Sequence, residues 1–158
     1  TKGPISLSKL AIRAHERLTV INVSSGEGEL SNINSEIVKE LHMITTSAEL
    51  DAYIELLQNT YKPTLEYAHG LTPMYSLSKA ILNKSTQLLH CEHGSTTDCN
   101  IRIIACCPDN VASPMSTEEE LEDTVTAEYA AQHIFKYATE PDKFPGGRFY
   151  RNGAEIPW

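Results

Sequence analysis

Tyr75 and Lys79 stand four residues apart in the segment MYSLSK (74–79). On a helix that spacing puts both on one face, so a phenol and an ammonium become neighbours. The ammonium favours the phenolate, and a tyrosine tuned this way can pass a proton to a carbonyl oxygen. Ser24 and Ser25 stand at the end of the apolar run LTVINVS (18–24), where a hydroxyl can hydrogen-bond a substrate oxygen. A second apolar run, IRIIACC (101–107), leads into CCPDNVASPM (106–115), a polar loop with Pro108, Val111 and Ser113 that can cover a ligand. Taken singly, each has an ordinary reading: a surface helix pair, a strand-to-loop serine, a connecting loop.

Two other patterns carry less. Gly26-x-Gly28 after a strand invites a dinucleotide reading, but the third glycine position holds Ser31, and Glu27 and Glu29 would face a pyrophosphate. A loop is the better reading. The cysteines are Cys91, Cys99, Cys106 and Cys107, with no C-x2-C pair, so no zinc site is expected. Cys106 and Cys107 are adjacent on a strand and point to opposite faces, which prevents a shared metal or bridge. His90 and His93 flank Cys91; a metal there is conceivable, but a polar helix end is the better reading. The expectation is reduced, buried thiols in an intracellular protein.

The elements that must position these residues follow from periodicity. Residues 5–16 read as an amphipathic helix and 18–24 as a buried strand. Ile37, Val38, Leu41 and Ile44 recur at helical spacing. Thr46-x-x-Glu49 is a capping box for a helix with Leu50, Ile54, Leu57 and Tyr61 on its face. A long helix runs from Pro73 to Gly94, and residues 101–107 form a strand that Pro108 stops. Glu118, Glu119 and Glu120 suit the first turn of a helix reaching about Tyr137. RFYRN (148–152) is a third strand, and Asn152-Gly153 a tight turn. Strands alternating with helices argue an α/β chain with a parallel sheet.

Composition narrows the classes. The 158 residues make one ordinary domain, with 41% hydrophobic and 22% charged residues, so a folded core is expected. Thirteen Lys+Arg against 21 Asp+Glu give a net charge of −8, which argues against nucleic acid. No apolar run nears the roughly 18 residues of a membrane helix, and no basic, apolar secretory start is seen.

In order, the chain reads strand–VSS, helix with YSLSK, strand–ACCP, loop with VASPM. Over essentially all of its length (1–158) this resembles the C-terminal half of a short-chain dehydrogenase/reductase, in particular its carbonyl-reductase-like members. Those carry a long helical insertion between the serine and the tyrosine, matched here by residues 31–70, with Ser25 and Tyr75 50 residues apart. The ending GGRFYRNGAEIPW is also similar to that subgroup. The implied fold is half of a Rossmann-like, doubly wound parallel sheet: about three adjacent strands plus the helical insertion.

The resemblance implies NAD(P)H-dependent reduction of a small-molecule carbonyl to an alcohol, with NADP(H) expected ahead of NAD(H). Tyr75 would be the general acid. Lys79 would favour its phenolate and bond the cofactor ribose, and Ser25 would polarise the substrate carbonyl. Pro108 and Val111 would line the nicotinamide, and Ser113 would take the family threonine's place at its carboxamide. The insertion covers a helical surface used elsewhere for dimers, so a cytoplasmic monomer is expected when full length. One departure stands out: Pro108-Asp109 replaces the family's Pro-Gly, and glycine permits backbone angles that aspartate adopts only with strain. The family's glycine-rich phosphate loop, its N-N-A-G segment and its catalytic asparagine are expected upstream of Thr1, where helix-like sequence already runs. The alternative is a catalytically silent fragment or pseudo-enzyme acting only through interactions.

Overall fold

The computed structural model describes residues 18–60, 73–94, 101–113 and 124–157. In chain order these form β1 (Leu18–Val23), α1 (Ser35–Met43), α2 (Ser47–Thr60), α3 (Pro73–His93), β2 (Ile101–Cys107), α4 (Ala127–Thr139), β3 (Phe149–Arg151) and β4 (Ala154–Glu155). Two short 3-10 turns, Gly26–Gly28 and Leu30–Asn32, link β1 to α1.

The sheet runs β1-β2-β3-β4. β1 pairs with β2 in parallel from Leu18↔Ile101 to Val23↔Cys106, and β2 pairs with β3 in parallel from Ala105↔Phe149 to Cys107↔Arg151. Apart from Arg102, β2 is apolar on both faces, as suits a strand covered on both. Ile104 and Cys106 meet Tyr137, Phe144 and Tyr150 on the α4 side, where Tyr137 and Phe144 pack edge to face at 4.8 Å. On the other face Asn22 Nδ2 donates to Thr86 Oγ1 of α3 at 2.8 Å. Ala105 and Cys107 join Phe149 and Ile156. Cys106 and Cys107 therefore lie on opposite faces, as strand alternation requires.

The helical pair α1–α2 packs on α3 through Ile33, Leu41, Ile44, Leu50, Ala80 and Leu88. The capping box closes reciprocally: Glu49 N donates to Thr46 Oγ1 at 3.2 Å, and Thr46 N to Glu49 Oε2 at 3.1 Å. These bonds, with those from Thr45, hold the Glu49 carboxyl below its usual range. Arg102, on β2, donates to Phe144 O at 2.6 Å and to Tyr137 O, in the last turn of α4. A cation suits that helix end.

Two expectations are corrected. Among the described residues the sheet has four strands rather than about three, because Asn152-Gly153 turns the chain into an antiparallel hairpin that adds β4 through Tyr150↔Glu155 and Arg151↔Ala154. Two exposed residues carry no alternation by which to recognise a strand. The fourth helix does not run unbroken from the acidic triplet. Val125 forms a parallel bridge with Val111, and Thr126 caps α4 by accepting from Tyr129 N at 3.2 Å. Glu118, Glu119, Glu120, Cys99, Tyr61 and the helix expected over 5–16 lie outside the described residues, as does 61–70 of the expected insertion.

Candidate active site

The carboxyl ends of β1 and β2 and the amino end of α3 meet at one edge of the sheet, the edge at which open α/β folds bind ligands. Ser24 N continues the ladder to Cys106 O at 2.7 Å. Its buried hydroxyl turns to Lys79 O at 3.4 Å. Ser25 comes next and caps the Gly26–Gly28 turn, its Oγ accepting from Glu27 N at 3.3 Å. Of the two serines, Ser25 is the more accessible.

Tyr75 lies in the first turn of α3 with 46% of its surface exposed. Lys79, one turn on, holds its Nζ 5.4 Å from the centre of the Tyr75 ring and donates to Val23 O at 3.3 Å. The helical spacing thus brings phenol and ammonium together, and the ammonium is anchored to the end of β1. The next residue, Ser76, is fully buried and donates from Oγ to Glu27 Oε2 at 2.8 Å.

Gly26-x-Gly28 has a packing explanation. A Cβ on Gly28 would stand 2.7 Å from the Lys79 carbonyl carbon, so only glycine lets this turn approach the α3 backbone. Asn83 Nδ2 then donates to Gly28 O at 3.2 Å from inside the helix. The loop after β1 is therefore fastened to α3 at Val23, Ser24, Glu27 and Gly28. The sequence signal was present in Gly28, but its partner was not legible.

The loop after β2 forms the other wall. Pro108 is half-buried, and Asp109 adopts a left-handed φ of 70°, as its place in the family's glycine position anticipates. Its Oδ2 accepts from Asn152 Nδ2 at 2.7 Å. Cys107 Sγ accepts from Gly26 N at 3.2 Å and Asp109 N at 3.3 Å, joining the two loops. Burial pushes the Cys106 thiol up to about 12, with Cys107 adding, so Cys106 is an inert packing group. Val111 is held by its bridge to Val125, with Val125 N donating to Asn110 O at 2.7 Å. Ser113 is exposed beyond it. Glu27, Asn83 and Asn152 are the contributors that sequence reasoning missed.

Among the described residues, His90 belongs to no ligand cluster. Its ring packs against Gly94, Gly146 and Gly147, and no group of three metal-binding side chains occurs among the described residues. No described helix is long and apolar enough to cross a membrane.

No family model matches the chain. It is 28% identical over 137 residues to salutaridine reductase from Papaver somniferum, which covers 83% of this chain and 42% of that protein. The solved structure of salutaridine reductase from Papaver somniferum superposes with a TM-score of 0.67 at 25% identity, over 94% of this chain and 51% of that one. The chain thus spans about half the length of the proteins it matches. By homology over most of its length and by fold, the chain matches part of a short-chain dehydrogenase/reductase.

Proposed function

We propose that the protein containing this chain is an NADP(H)-dependent carbonyl reductase of the short-chain dehydrogenase/reductase type, working as a cytoplasmic monomer on a small-molecule carbonyl. The observation that carries the reading is the Tyr75–Lys79 pair. Its ammonium lies 5.4 Å from the phenol ring and is anchored on Val23 O at the strand edge. Homology to a reductase adds to it.

The residues present fit the nicotinamide end of such a cofactor. An ammonium has three donors, and the Val23 bond uses one, which leaves capacity for a ribose hydroxyl. The Asp109 carboxylate, which could oppose a cofactor, is engaged by Asn152. When bound, the cofactor supplies hydride. Tyr75 gives its phenolic proton to the carbonyl oxygen, Lys79 steadies the phenolate that remains, and Ser25 donates a hydrogen bond to the same oxygen. Pro108, Val111 and Ser113 would line the nicotinamide.

The test is hydride transfer from NADPH to a panel of ketones and quinones by the full-length protein. Tyr75→Phe is expected to lower turnover by about 10²–10⁴-fold, the worth of a positioned acid. Unchanged turnover in that variant overturns the role of Tyr75. A wild-type protein with neither turnover nor NADPH binding overturns the reading in favour of a silent chain.

A further inference from the structure

We infer that Glu27 is a positioning residue that sets Ser25 against Tyr75, an inference that rests on the reductase reading above. Glu27 makes two contacts in opposite directions. Its backbone N–H donates to Ser25 Oγ at 3.3 Å, and its carboxylate accepts from Ser76 Oγ at 2.8 Å. Ser76 is the residue after Tyr75 and is fully buried in α3. One residue therefore ties the hydroxyl that would polarise the carbonyl to the helix turn that carries the proton donor.

The first contact decides what Ser25 can do. A serine hydroxyl has one proton to donate and two lone pairs to accept with. The Glu27 N–H occupies a lone pair, so the proton stays available for a substrate oxygen. The second contact sets distance. Ser25 sits on a three-residue turn and Tyr75 on a helix, and the chain between them is 50 residues long, so their separation depends on cross-links of this kind. Lys79 Nζ on Val23 O and the Gly28 approach fix the turn's base. Glu27 fixes its tip, at the end of α3 where the helix dipole also favours a carboxylate. Small misplacements of reacting groups cost turnover steeply, while substrate binding is less affected.

The experiment is a double-mutant cycle in the full-length protein, read as kcat, KM and thermal unfolding with NADPH and the best ketone of the panel. Glu27→Ala and Ser76→Ala are each expected to lower kcat about tenfold with KM within about twofold, and the double variant to lose no more than either single one. Glu27→Gln keeps a carbonyl oxygen for Ser76 and is expected within about twofold of wild type. The unfolding midpoints of the singles should likewise fail to add. Glu27 is exposed, so the two Glu27 variants decide the matter should Ser76→Ala fail to fold. An unchanged kcat in Glu27→Ala with an active wild type overturns this inference alone, as do additive losses or a Glu27→Gln variant as impaired as Glu27→Ala. A wild type without carbonyl reduction overturns it together with the proposed function.

Discussion

Asp109 and Asn152 are joined side chain to side chain at 2.7 Å, and they are the two non-glycine residues with positive φ among the described residues, at 70° and 51°. The left-handed region costs an ordinary residue about 1–2 kcal/mol, less for Asn and Asp. The bond lets each of two unfavourable conformations hold the other. It also fastens the loop after β2 to the β3–β4 hairpin.

Asn152→Ala should therefore destabilise the protein by about 2 kcal/mol, from the lost bond and an alanine forced into the left-handed region. Asp109→Gly should stay within about 0.5 kcal/mol of wild type, because relief of backbone strain offsets the lost bond. Urea unfolding of the full-length protein checks both. A larger loss in Asp109→Gly than in Asn152→Ala would show that the bond, not the backbone, governs this corner.

The legible part of this molecule was the part that local pattern dictates. The run Ile101–Cys107, apolar but for Arg102, is β2 residue for residue, Thr46-x-x-Glu49 is a closed capping box, and Tyr75 and Lys79 meet because four residues make about one turn. Asp109 was legible as a strained position through the resemblance, which has glycine after that proline. What failed to show were long-range partners. Glu27 looked like a charge unsuited to a phosphate loop, and its bond to Ser76 spans 49 residues. Val125 looked helical by its neighbours, yet its hydrogen bonds go to Asn110 and Ala112 across a loop. Those partners are chosen by packing, which periodicity does not record.

Gly28 makes a sharp contrast with Gly153. An added Cβ at Gly28 would lie 2.7 Å from Lys79 backbone, whereas one at Gly153 would meet nothing within 4 Å among the described residues and has only a φ of 79° to satisfy. Gly28→Ala should cost about 1–3 kcal/mol by overpacking and should also depress turnover, because it pushes the Ser25 turn away from Tyr75. Gly153→Ala should cost about 1 kcal/mol through the backbone alone and leave kcat unchanged. Equal effects on kcat would contradict the role of the Gly28 approach.

His90 gives the stability a pH dependence. Its ring packs against Gly94 and Gly146, and its buried Nδ1 has no hydrogen-bond partner among the described residues. Burial first, and the Arg102 guanidinium second, hold it below its ordinary 6.5. The unfolded chain thus takes up a proton near 6.5 that the folded chain still refuses. Stability is expected to be full above that pH and to fall as pH drops from 6.5 towards the lowered folded value. Glu49 and Glu140, both held below 4.5, add their loss only at more acid pH. Unfolding measured from pH 7.5 to 5 checks this, and His90→Gln should flatten the slope in that window.

Glu92 holds the helical pair to the rest of the chain by one end. Its carboxylate accepts from Ser47 N at 2.7 Å and from Ser47 Oγ, so a side chain in the last turn of α3 caps the first turn of α2. An N-terminal helix donor favours an anionic partner, and loss of such a cap costs about 1 kcal/mol. The apolar cluster that joins Leu50, Ala80 and Leu88 remains without it. Glu92→Ala should therefore leave the sheet intact and loosen α2 locally. Amide exchange should quicken at Ser47 and the following turn of α2, with little change across β1 and β2. Uniform quickening through β2 would mean that the cap supports the whole domain, and that α1–α2 does not open as a separate unit.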